Sequence, residues 1–241
     1  MNKLLTIDGN PKVMKGNKLG YLTAILHLAP ASLSGFNLCA HSTPGCRAAC
    51  LNTAGRGGMF KEGGTNTIQE ARKRKSRDFK TNEEGFMRQL HKEITSFVAK
   101  AGRNGVIPCV RLNGTSDILW EKVTLDGKTL MEHFPSVQFY DYTKYPKRNH
   151  GLANYHLTFS LAENNDAKAC VALANGVNVA VVFAVARSKP LPSTFTLGGK
   201  SFPVVNGDET DLRFLDPKGV IVGLRAKGRA RKDTSGFVRT P

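Results

Sequence analysis

The sequence predicts an α/β fold, a partial or complete TIM-like barrel of parallel strands and helices. Three observations lead there. Apolar strand-like runs alternate with helical stretches, the pattern of a parallel sheet covered by helices. Several of those runs are continuously apolar, as strands buried on both faces are. Polar residues also gather just past the carboxyl end of nearly every run, where a barrel collects its site. An open doubly wound sheet would also place a site at strand ends. Seven strands with polar ends all round favour the barrel.

The first strand is Tyr21 to Leu28, ended by Ala29-Pro30. His27 within it reads as a core histidine rather than a ligand. Residues 1–20, with Lys12, Lys15 and Lys18 three apart, read as an irregular basic arm. A cysteine-rich stretch follows the first strand, then glycines at 55, 57, 58, 63 and 64. These glycines make a loop that is either a close approach to a ligand or plain surface. Residues 66–80 are helical in composition, and Arg72, Lys73, Arg74, Lys75 and Arg77 make them intensely basic. Such a run is a solvated face or a guide for a phosphate backbone. Thr81 and Glu84 read as a capping box, and Phe86, Leu90, Ile94, Phe97 and Val98 repeat at helical spacing over residues 83–101.

Val106 to Asn113 is the second strand, running into Gly114-Thr115-Ser116-Asp117. Cys109, Arg111 and Asn113 alternate and so share one face. A short helix over 129–134 precedes the third strand, Val137 to Tyr142, which ends in Thr143-Lys144-Tyr145-Pro146-Lys147-Arg148. The fourth strand is Tyr155 to Ser160, followed by a helix over 166–175 with Cys170 on its apolar side. Val177 to Val185 is the fifth, Phe202 to Val205 the sixth and Val220 to Leu224 the seventh. The polar strand ends are the cysteines, Asp117, then Asp141 with Lys144, then Ser160 with Glu163. Arg187 follows, then Asp208, Asp211 and Arg213, then Lys227. Arg225, Lys227, Arg229, Arg231 and Lys232 make the C-terminal tail basic. No repeat or interior linker divides the 241 residues, so the expectation is one barrel-like domain over 1–241, with a basic arm (1–20) and a basic tail (225–241).

At 40% apolar the chain can bury a full core, and no run of about 18 apolar residues suggests a membrane span. Met1 to Asp8 lacks a signal-peptide core, which leads to a cytoplasmic expectation. Five cysteines, an odd number, argue for thiolate chemistry or buried thiols over a disulfide framework. The net charge of +16 and pI near 9.9 attract polyanions, with nucleic acid or a nucleotide the default partner.

The chemistry concentrates in Phe36-Asn37-Leu38-Cys39-Ala40-His41-Ser42-Thr43-Pro44-Gly45-Cys46-Arg47-Ala48-Ala49-Cys50. Clustered thiolates repel one another unless a metal neutralises them. Thr43-Pro44-Gly45 is a turn signal, and Cys46 and Cys50 share a face if a helix begins here. Three thiolates on a loop suit an iron–sulfur cluster with one iron left open. A structural zinc more often takes four ligands in tighter pairs. Cys109 is either a fourth ligand or an inert core thiol.

Two resemblances rest on these residues. The chain resembles a family of phage proteins named after a mycobacteriophage gene product eighty-eight. The likeness lies in Phe36 to Cys39 through Gly45 to Asn52, in Arg111-Leu112-Asn113 with Ser116-Asp117, in Tyr140-Asp141-Tyr142-Thr143-Lys144, and around Asp211-Leu212-Arg213. That resemblance implies a viral origin, and so action in a host cytoplasm, and brings no activity with it. More distantly, the chain is similar to radical S-adenosylmethionine (SAM) enzymes. Their three cysteines follow the first strand of a partial barrel and leave one iron of a 4Fe–4S cluster for the amino and carboxylate groups of SAM. Cys39, Cys46 and Cys50 occupy that place. The spacing departs from that family's three and two intervening residues, being six and three, and Asn113 to Asp117 stands where a Gly-Gly-Glu is usual.

The sequence therefore predicts an iron–sulfur protein, a redox or radical enzyme acting on a phosphate-bearing substrate. Arg111 and Lys144 would pair with carboxylate or phosphate, while Asn113, Asp117, Asp141 and Asp208 complete the candidate polar set. The alternative is a non-enzymatic nucleic-acid-binding protein with a structural or redox-sensing metal centre. Aromatics at 8% leave it to phosphate contacts more than to base stacking.

Overall fold

A computed structural model describes residues 3–7, 11–60, 64, 66–146, 148 and 151–241. Gly63 of the glycine loop and Lys147 after the third predicted strand lie outside the described residues. The strands in chain order are β1 (Leu5–Ile7), β2 (Tyr21–Leu26), β3 (Ile107–Arg111), β4 (Thr124–Leu125), β5 (Lys128–Thr129) and β6 (Gln138–Thr143). They continue with β7 (Tyr155–Ser160), β8 (Val179–Phe183), β9 (Thr194–Leu197), β10 (Lys200–Asn206), β11 (Ile221–Arg225) and β12 (Val238–Arg239). The helices are α1 (Pro11–Asn17), α2 (Pro44–Ala48), α3 (Thr67–Thr81), α4 (Glu83–Arg103), α5 (Leu130–His133) and α6 (Asp166–Ala174).

The fold is mixed α/β, and ten of the strands form a mostly parallel sheet. Two compact units share the chain. The first comprises Met1–Cys39, Gln69–Asp141 and Asn149–His156; the second comprises Ala40–Ile68, Tyr142–Arg148 and Leu157–Pro241.

In the first unit β2 runs parallel to β3, and β3 parallel to β6. The outer edge of β2 is taken by β1, antiparallel, with Leu5 opposite Leu26. Helix α4 packs on β3, its stripe of Phe86, Leu90, Ile94 and Phe97 buried as the helical spacing predicts. Its N-cap is Asn82, whose side chain accepts the Gly85 N–H; the capping box expected from Thr81 and Glu84 is absent. Thr81 instead donates its hydroxyl to the Arg77 carbonyl and completes α3. The segment expected as an irregular arm holds β1 and α1, and Leu4, Leu5 and Val13 are core residues.

In the second unit β7, β8, β11 and β10 are parallel neighbours in that order, and β9 closes an antiparallel hairpin on β10. Phe159, Val179, Val181, Phe183 and Ile221 form its core with Leu173 of α6. The basic tail is also ordered, since β12 pairs with β8 and Ala230 packs with Ala226 and Ala49.

The strand path ends at β1 and β9, so the sheet is not closed into a complete barrel, one of the two forms that the sequence predicts. Both ends of the path are antiparallel strands, β1 on β2 and β9 on β10, where a TIM-like barrel would close through parallel neighbours.

Candidate functional site

The cysteine loop leaves the carboxyl end of β2. Cys39 closes its stretch of the first unit, buried to 9% exposure, with its N–H on the Asn37 side chain at 3.0 Å and its thiol 3.9 Å from the Thr115 carbonyl. The loop after β3 holds this part of the chain. Thr115 donates its hydroxyl to the Leu28 carbonyl at 2.5 Å, Gly114 its N–H to Leu26, and Asp117 its N–H to Leu38. Gly114 is required by this approach, because a Cβ there would lie 2.7 Å from both the Leu26 carbonyl oxygen and the Ile25 side chain. The polar Asn113-Gly114-Thr115-Ser116-Asp117 stretch is thus the buckle of the Cys39 segment.

Beneath that buckle lies a buried polar network. The Asp141 carboxylate, fully buried, accepts the Asn113 backbone N–H at 2.7 Å, the Asn113 amide at 3.4 Å and the Tyr155 hydroxyl at 2.9 Å. Arg111 stands 3.9 Å from it. The Asn113 side-chain oxygen accepts from the Ser116 hydroxyl, the Ile118 N–H and the Trp120 indole. Arg111, Asn113 and Asp141 are therefore brought together, and Asp117 is tied to the buckle through its backbone. Tyr155 is the member that sequence reasoning missed; as the first residue of an apolar strand it carried no polar signal. With no exposed surface, Asp141 orients Asn113 and balances Arg111 rather than meeting solvent. Cys109, in β3, is also fully buried, and burial pushes its thiol up to about 12, which opposes ligation as a thiolate.

The second unit holds the other two cysteines of the loop, Cys46 and Cys50. Thr43-Pro44-Gly45 starts α2 instead of reversing the chain, with proline in the first helical turn and Thr43 as N-cap accepting the Cys46 N–H at 3.2 Å. The helix ends at Ala48, so Cys46 and Cys50 do not share a helical face. Cys50 caps the following 3-10 turn (Leu51–Thr53), and its sulfur accepts the Asn52 N–H at 3.5 Å. None of the five cysteines is in a disulfide.

Glu163, past the end of β7, clamps α2: it accepts the Thr43 hydroxyl at 2.6 Å and the Gly45 N–H at 2.7 Å. Burial works to raise its carboxyl, but the hydrogen bonds from Thr43, its own N–H and Gly45 outweigh that and hold it below the ordinary glutamate value. Its strand-end position was legible, its target was not. Lys144 lies over the Phe237 ring at 5.7 Å, and His41 meets Tyr145 edge-on at 4.2 Å.

Asp208 is a hub for cations, accepting the Arg225 N–H at 3.0 Å and Lys227 at 2.8 Å. Arg213, 2% exposed, pairs with Asp216 at 3.3 Å and donates to the Thr210 carbonyl. The Asp211-Leu212-Arg213 segment is thereby a buried knot of the second unit. Arg111, Asn113, Asp117, Asp141 and Cys39 belong to the first unit; Lys144, Asp208, Cys46 and Cys50 belong to the second.

Among the described residues, no group of three or more His, Cys, Asp or Glu side chains is arranged to hold a metal ion. No helix among them is long and apolar enough to cross a membrane. No curated protein and no solved structure matches the chain. A family model described as Gene product 88 matches residues 3–241, and on that match the chain belongs to the Gene product 88 family.

Proposed function

We propose that this protein binds a 4Fe–4S cluster through Cys39, Cys46 and Cys50, within a partial-barrel scaffold. The observation that carries the reading is three cysteines, none of them in a disulfide, within twelve residues of one loop that follows a central parallel strand. Two local features support the reading. The Cys50 sulfur already accepts an N–H bond, of the kind that stabilises cluster thiolates, and Cys46 sits in the first turn of a helix. Cys39 is held by the β3 buckle, so binding would close the rest of the loop, as metal ligation commonly couples to local folding. Part of the strand order supports a partial barrel: β2, β3 and β6, and then β7, β8 and β11, follow one another in chain order as parallel neighbours within each run, while β10 lies beyond β11 and reverses the order there.

A bound cluster would supply one-electron chemistry, and three ligands would leave one iron for a small chelating molecule such as SAM. The chain's own contribution is to hold the loop: Thr115 and Asp117 from one side of the sequence, Glu163 on the helix that bears Cys46. The substrate class expected from the basic composition is phosphate-bearing.

Anaerobic purification with iron, sulfide and zinc analysis, and visible absorption with and without SAM, tests this. Four irons and four sulfides per chain, lost in Cys46→Ala, support the cluster, and a spectral change on adding SAM supports a radical enzyme. A colourless protein with one zinc overturns the iron–sulfur reading. The second reading, a non-enzymatic nucleic-acid binder with a structural or redox-sensing metal, is favoured by the exposed cations Lys92, Lys100 and Arg103 of α4.

A further inference from the structure

The most basic run in the sequence is not the most available one. On α3, Lys73 pairs with Glu70, Lys75 donates to the Leu4 carbonyl and Arg77 to the Ser34 carbonyl.

Within the first unit a groove of about 800 Å³ runs between β1 and α4. Its charged lining is Lys3, Arg88, Lys92, Lys100 and Arg103, against the single carboxylate of Glu93. That carboxylate is already occupied by the Leu4 and Leu5 N–H groups and the Gln89 amide. Arg88 is held by Glu84 and Asp126. Lys3, Lys92, Lys100 and Arg103 are exposed, and among the described residues their side chains make no hydrogen bond or ion pair. Four uncompensated cations along one open groove form a field that only a polyanion complements. Lys92, Lys100 and Arg103 span about 16 Å of helix at 1.5 Å per residue, close to five base pairs of a duplex. The one aromatic residue in the lining, Phe97, is 2% exposed, so the groove offers no face for stacking bases of a single strand.

We infer that the β1–α4 groove is a docking surface for the phosphate backbone of duplex DNA, read by charge and without sequence preference. It shares no residue with the proposed cluster. Iron lost in Cys46→Ala leaves it standing, and loss of DNA binding leaves the cluster reading standing.

The test is fluorescence anisotropy of the full chain with a mixed-sequence 20-base-pair DNA. Four phosphate contacts predict a slope of log affinity against log salt of about −3.6, roughly a hundredfold loss between 50 and 200 mM. Lys92→Glu/Lys100→Glu/Arg103→Glu is expected to weaken binding more than tenfold and flatten the slope to about −1, leaving Lys3 alone. The alanine triple should weaken it in the same direction, with an unchanged circular dichroism spectrum. The control is Lys168→Glu/Lys200→Glu/Lys218→Glu, exposed positions of the second unit with the same charge change. Equal weakening by both glutamate triples, wild-type binding by the α4 triple, or tighter binding of single-stranded DNA, polyglutamate or anionic vesicles would each overturn the inference.

Discussion

The Tyr155 hydroxyl donates to the Asp141 carboxylate at 2.9 Å, inside a protein where Asp141 has no exposed surface. This bond joins two strand segments of the first unit. It adds one donor to a carboxylate that already receives the Asn113 N–H and faces Arg111. A buried charge is tolerable only when so surrounded.

Asp141→Ala should therefore cost about 3–5 kcal/mol, because it removes the charge that faces Arg111 and leaves the buried Asn113 N–H without its acceptor. Tyr155→Phe removes a single hydrogen bond to a charged group and should cost about 1.5–3 kcal/mol. Urea unfolding gives both values. Wild-type stability in Tyr155→Phe would show that the hydroxyl does not hold the carboxylate.

Gly114→Ala should destabilise the first unit by about 1–3 kcal/mol, the usual cost of overpacking. Its Cβ meets a backbone oxygen, which cannot swing aside as a flexible side chain can. Because Thr115 and Asp117, which follow Gly114 in the same stretch, contact the Cys39 thiol and the Leu38 carbonyl, the variant should also lower iron content with every cysteine intact. Full metal loading alongside reduced stability would separate the buckle from the candidate site.

Lys75 carries a pH signature. Burial, reinforced by Arg72, lowers its ammonium from 10.5 to about 8, against the pull of Glu93. The folded state thus pays to keep this charge at neutral pH, and that penalty is present in full below pH 8. As pH rises from about 8 towards 10.5 the fold sheds the proton while the unfolded chain keeps it, so this group's contribution to stability rises. Lys75→Met should remove that rise. Urea midpoints for wild type and variant between pH 7 and 10 compare the two slopes, and parallel curves would exclude Lys75 as the source.

The seven long strands were legible because each is an apolar run between turn residues, and α4 because its stripe repeats at helical spacing. β1 was not, since three residues carry no periodicity and its pairing with β2 is a tertiary event. β9 and β12 are short, partly exposed strands whose residues are not continuously apolar. The same limit applies to the site. Asn113 and Asp141 announced themselves as polar residues at strand ends. The partners of Glu163 lie 118 and 120 residues away, a distance over which no local pattern speaks. The open sheet follows too, because edge coverage by β1 and β9 depended on the strands that could not be read.

Glu163 supplies the last prediction. Burial raises its carboxyl and the Thr43, backbone and Gly45 hydrogen bonds lower it by more, so its folded value falls below 4.5. A depressed carboxyl stabilises the fold above the unfolded value, and that stability is lost as pH falls through the folded one. Glu163→Gln cannot match a charged acceptor for both donors, so wild type should exceed it in urea midpoint by a constant margin from pH 7 to about 5. Below about pH 4.5 the margin should shrink, as the wild-type carboxylate takes up its proton. Asp233 lies near Glu163 and is also depressed, with burial opposing and hydrogen bonds from Val238, Ser235 and Gly236 prevailing. It titrates in both proteins, so the wild-type-minus-variant difference largely cancels it. A margin that stays constant down to pH 3 would mean that the clamp on α2 does not depend on the charge of Glu163.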